Sequence, residues 1–237
     1  AIDFGDGEVV GTIATDNPWE FMHKVRFGQP GESMPSLYEA GSTTDDIADL
    51  AAWCQTLPTE APTTGDSSAG GRLYDNWWVE AGVDEPTVDQ PLWSTQTTNT
   101  RTGSATWRCK ECHGWDYMGV DGAYGSGSHA TGFAGIYATA PAMSDADLMS
   151  WLDGTASADH DFSTIPETNR NDLVVFMRDA LVDVSGYIDS STKAVTGDTA
   201  LGQTTFDGTC DTCHGSDGTA IDFGDGEVVG TIATDNP

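Results

Sequence analysis

The 237 residues hold 38 Asp and Glu against 9 Lys and Arg, a formal net charge of −29, with 38% hydrophobic residues and 28 glycines. Such a surface repels a phosphate backbone, which excludes nucleic acid as a partner, and no apolar run is long enough to predict a membrane span. The acidic coat reads as a solvated surface that maintains solubility, or as a docking face for a basic partner; the Gly, Thr, Ser and Asp content predicts long loops around one large or two small cores.

Residues 1–18 read AIDFGDGEVVGTIATDNP, with no basic stretch leading into an apolar one, so no signal peptide is expected there. NPWEFMHKVRFG follows with apolar residues at helical spacing; it carries His23 and leads into GQPGESMPS with Met34. ADLAAWC at 48–54 predicts a second amphipathic helix, with Cys54 on its apolar side as a buried, unreactive thiol. After a TTGD linker, GDSSAGGRLYD at 65–75 predicts a third helix. An insert at about 76–106 brings Trp77, Trp78 and Trp93 together with prolines. Those indoles pack into the core of their own unit, or form a flap or an interface with a neighbouring one.

The chemistry is concentrated in CKECHG and CDTCHG. They place Cys109, Cys112 and His113, then Cys210, Cys213 and His214, in the C-x-x-C-H arrangement of covalent heme attachment. Each thiol adds to a heme vinyl group, and the next residue is carried under the ring to ligate iron. A thioredoxin-like C-x-x-C has no need of the following His and sits in a βαβ pattern not seen here. A zinc site from the two pairs would leave two matching histidines as coincidence. The sequence therefore predicts two hemes c per unit.

The sixth ligand of each iron follows from comparing the chain with itself. Aligning Gly154 with Gly28 puts His160 and Met34 at the same offset; NDLVVFM at 171–177 then lies over ADLAAWC, and GDTALGQTTFD at 197–207 matches GDSSAGGRLYD. The pairs expected are His113/His160 and His214/Met34, the Met-ligated heme having the higher potential. Alternatively, Met34 is a core residue and His23 is the ligand, although His23 aligns with Met149 in an apolar helix. His129, in GSGSHATG, falls in the loop over the heme edge, to hydrogen-bond a propionate or water or to ligate a neighbouring heme. Met118 and Met143 are expected to pack.

Helix, C-x-x-C-H, loop, distal ligand and closing helix in this order resemble class I cytochrome c domains, whose distal ligand usually sits in a G…MP context such as GQPGESMP. The resemblance covers most of the chain apart from the insert. It implies a mainly α fold with long loops and two small class I cytochrome c-like heme domains. His160 departs from the family by standing where Met is usual.

One heme domain is contiguous, residues 61–194. The other is split: residues 1–60 hold the distal-ligand half, and residues 195–237 the attachment half. Residues 220–237 repeat residues 1–18 letter for letter, so the attachment half ends on the segment that precedes Trp19. The expectation is a diheme unit followed by another like it, identical units lying before and after in a polymer. That architecture resembles extracellular cytochrome filaments, nanowires that conduct electrons at the cell surface, and implies electron transfer rather than catalysis. The alternatives are a soluble periplasmic diheme carrier, the cytochrome subunit of a dehydrogenase, or a diheme thiosulfate dehydrogenase-like enzyme using the basic group of His23, Lys24 and Arg26.

Overall fold

The computed structural model describes residues 9–29, 34–57, 59, 63–224 and 226–235. The chain divides into two compact units, residues 1–64 and 65–237. The protein is mainly helical; among the described residues there is no strand, only three isolated β-bridges. No helix among these residues is long and apolar enough to cross a membrane.

The first unit holds α1 (Val10–Asp16), α2 (Pro18–Phe27) and α3 (Thr44–Cys54). Asn17 accepts the Glu20 amide and Pro18 opens α2, where its missing N–H is harmless. Thr43 and Asp46 form a reciprocal capping box at the start of α3. Ala14, Phe21, Val25, Ile47, Ala51 and Cys54 make the core between the three helices. Gln55 Nε2 closes it by donating to the Ala14 carbonyl at 2.9 Å. Cys54 is the buried thiol expected of it.

In the second unit α4 (Ser67–Ala81) runs against α7 (Glu167–Asp179), with α6 (Asp145–Leu152) on the other side of α7. Burial on both sides explains why Leu173, Val174, Val175 and Phe176 are all buried, where an ordinary surface helix hides one stripe. Gly70 is the crossing point: a Cβ there would overlap the Asp172 carbonyl oxygen and the Phe176 side chain. The α4 backbone breaks at Asn76 (φ −149°, ψ 85°), which redirects the chain into the Trp-rich insert. Trp77, Trp78 and Trp93 are buried. Trp77 Nε1 donates to the Trp107 carbonyl at 3.0 Å and Trp93 Nε1 to that of Arg101 at 2.8 Å, so their polar edges are satisfied inside.

Two one-turn helices carry the cysteine motifs: α5 (Cys109–His113) and α9 (Asp211–His214). α8 (Thr199–Thr205) enters α9 through a π-turn at Phe206–Cys210, and α10 (Val229–Asp235) follows. α10 has the sequence of α1, VGTIATD, and folds as the same seven-residue helix.

Candidate functional site

A cavity of about 490 Å³ opens in the second unit, within the usual range for small-molecule and cofactor pockets. Its wall brings Cys109, Cys112 and His113 together with His160, which lies 47 positions further along the chain. The rest is almost wholly apolar, including Phe133, Met143, Trp151 and Leu152. Met143 thus lines the cavity as a packing residue.

Two imidazoles held on opposite sides of one metal, at about 2 Å per bond, set their ring centroids about 6 Å apart. Those of His113 and His160 are 6.2 Å apart. Each ring is anchored through Nδ1, His113 to the Ala134 carbonyl at 2.8 Å and His160 to the Trp151 carbonyl at 2.9 Å. A carbonyl only accepts, so Nδ1 carries a proton in both rings, and in the neutral ring this leaves the lone pair on Nε2, the tautomer a metal ligand needs. Burial pushes the His113 imidazolium down to about 4, reinforced by the nearby His160 and opposed by the Ala134 hydrogen bond. The ring is therefore neutral at pH 7. Burial likewise pushes the Cys109 and Cys112 thiols up to about 12, so each is an uncharged sulfur against an apolar wall.

The motif itself is locally determined. Residues i and i+3 of one helical turn share a face, which sets Cys109 beside Cys112. Gly114 ends the turn at φ 79° and ψ 162°, and Tyr74 on α4 donates its buried hydroxyl to the Gly114 carbonyl at 2.6 Å. On the distal side, Gly154 (φ 81°) passes so close to Asp161 that a Cβ would stand 2.8 Å from the Asp161 Cβ. Gly28 shows the same φ of 81° and the same crowding, 2.8 to 2.7 Å, against the Met34 carbonyl oxygen.

Other expected site residues fall elsewhere. Met34 is half-buried against the core of the first unit, and His23 is exposed on α2, its ring 5.2 Å from that of Phe27. His129 stacks on Tyr124 at 5.0 Å and faces Glu111 at 3.9 Å, away from the cavity lining. Met118 stands beside Gly122 and Gly135, which are too tight there for a Cβ. In the second motif Cys213 is exposed, and Cys210 and His214 are half-buried. The His214 ring stacks on Phe223 at 5.8 Å. Its Nδ1 is buried with no hydrogen-bond partner among the described residues, in contrast to His113. Gly215 nevertheless ends this turn as Gly114 does, at φ 75° and ψ 159°.

Three features were not legible in the sequence. The Ala134 and Trp151 carbonyls that orient the histidines belong to the backbone, so no residue type announces them. Glu111, between the two cysteines, is fully buried and lies 2.5 Å from Lys110 Nζ and 3.3 Å from Arg101 Nε, so its charge is compensated. Its place in CKEC gave no such signal. Among the described residues no three His, Cys, Asp or Glu side chains converge as a metal cage. The donor set offered by the cavity, two thiols on one wall and two imidazoles 6.2 Å apart, suits a planar metal macrocycle held from one edge.

No protein-family model matches the chain, and no curated protein or solved structure matches it.

Proposed function

We propose that this protein is a diheme c-type cytochrome whose units repeat end to end, an electron-transfer protein of the extracellular surface built as a conducting filament. The observation that carries the heme reading is the His113/His160 pair over Cys109 and Cys112, with both Nδ1 atoms fixed and both Nε2 lone pairs available. In this reading Cys109, Cys112, His113 and His160 would hold one heme, and Cys210, Cys213 and His214, with Met34 of the following copy, would hold the other. Heme supplies the one-electron iron couple.

The chain's own part is to hold, insulate and orient. The apolar wall keeps water from the cavity, the Ala134 and Trp151 carbonyls keep both rings in one tautomer, and the helix crossing at Gly70 fixes the wall that carries the cysteines. End-to-end repetition is supported by the identity of residues 1–18 and 220–237 and by the same helix in each copy. The acidic surface would keep separate filaments apart at low salt and let them bundle as ionic strength rises.

The test is the absorbance of the alkaline pyridine complex, measured against protein after acid–acetone extraction. Two hemes per chain that resist extraction are expected; a colourless chain sinks the proposal.

A further inference from the structure

Three residues seat α4 against α7. Gly65 and Gly70 leave open the space that Asn171, Asp172 and Phe176 occupy, and the Asp66 amide donates to Asp172 Oδ1 at 2.7 Å. The same three residue types recur around α8 as Gly197, Asp198 and Gly202, and Asp198 caps its helix as Asp66 does. Yet among the described residues nothing lies within 4 Å of where a Cβ would stand at Gly197 or Gly202. Glycine inside a helix costs about 1 kcal/mol against alanine, and a close backbone approach is what justifies it. Beside Gly202 runs a groove of about 490 Å³, bordered by Thr199, Phe206 and Val229.

The complementary face is on α3. Its residues 48–54 match 171–177, which places Asp49 at the position of Asp172 and Trp53 at that of Phe176. Phe176 covers Gly70 and meets the Tyr74 ring at 5.6 Å; Trp53 is 60% exposed. Where α7 is buried on two sides, α3 buries only the face of Ile47, Ala51 and Cys54. A second, independent observation comes from the repeated helix. Ala14 of α1 is fully buried against α2 and α3, whereas its counterpart Ala233 of α10 is exposed. Because the two helices are identical, the seat that receives α1 fits α10 equally well.

We infer that α8 docks on α3 of a second copy of this chain as α4 docks on α7, Gly202 against Trp53 and Asp198 against Asp49, with α10 replacing that copy's own α1 in its seat. This deepens the end-to-end reading by naming its contact, and it rests on that reading but not on the heme. The two surfaces differ, so the contact is head-to-tail and propagates as a ring or an open filament.

The test uses the full heme-loaded chain carrying Gly197→Cys and Asp49→Cys together. At the corresponding place a Cβ on Gly65 would stand 3.0 Å from the Asp172 Cα, which brings the two thiols within disulfide reach. Oxidation is expected to give a reducible ladder in multiples of 25 kDa, while either single variant stops at a dimer. No ladder, or one internally bridged chain, overturns the inference. Gly202→Leu supplies a check free of engineered thiols. A single chain has open space there, so circular dichroism and heme content stay unchanged while self-association weakens about tenfold or more in sedimentation velocity; unchanged association overturns the inference as well. Heme content read on the same samples separates the two ideas: a colourless ladder keeps the docking and sinks the cytochrome, and a red chain with no ladder does the reverse.

Discussion

Residues 65–179 and residues 197–235 begin alike and end differently. Both open with Gly-Asp and a capped helix, pass into a C-x-x-C-H turn and close that turn on a glycine near φ 75–79°. In the first region a closing helix then covers the opening one, both cysteines line a cavity, and the histidine is anchored by a carbonyl. In the second, α8 buries none of its residues, Leu201 is 68% exposed, and His214 Nδ1 has no partner among the described residues. The difference teaches that the motif and its helix are locally encoded, whereas a ligand pocket needs the distal half of the domain packed against them.

The largest test of that comparison is on the ligands. In the proposed cytochrome, His160→Ala should remove the six-coordinate low-spin signature from one of two hemes and leave the other intact. His23→Ala, on an exposed face, should change neither spectrum; the reverse result would break the assignment. Next comes the helix crossing. Gly70→Leu drives a side chain into Asp172 and Phe176 and should cost about 3 kcal/mol or more of the second unit's stability, read as a lowered urea midpoint. Gly202→Leu in dilute single chains should cost nothing measurable, since open space surrounds it.

Smaller effects sharpen the same contrast. Leu173→Ala empties a site that is 1% exposed and should cost about 2–3 kcal/mol; Leu50→Ala, half-buried at the matching position, should cost about 1 kcal/mol or less. Asp172→Ala removes the acceptor for the Asp66 amide and should cost about 1 kcal/mol. Asp49→Ala should be silent in a single chain. Equal costs within either pair, measured by denaturant unfolding of the two units, would show that the two helix faces are already equivalent and that nothing remains to be covered.

Much of the site could be read from one-dimensional spacing. The cysteine pairs, their histidines and the offset that aligns His160 with Met34 all follow from residue order, and the two glycines that anchor that alignment, Gly28 and Gly154, share a φ of 81°. The protein partners of His129 lay beyond such reading: long-range packing stacks it on Tyr124 and turns it toward a buried Glu111. The carbonyls that orient His113 and His160 were equally out of reach, because every residue carries one and only the folded chain selects two.

VGTIATD states the division most plainly. Its sequence carries no strong helical period, yet the heptapeptide folds as a helix in both places, so the same seven residues give the same local structure in two settings. Only tertiary structure decided that Ala14 is sealed under α3 while Ala233 faces solvent. Helical hydrogen bonds close within four residues, but burial depends on which distant surface is present to pack against the helix.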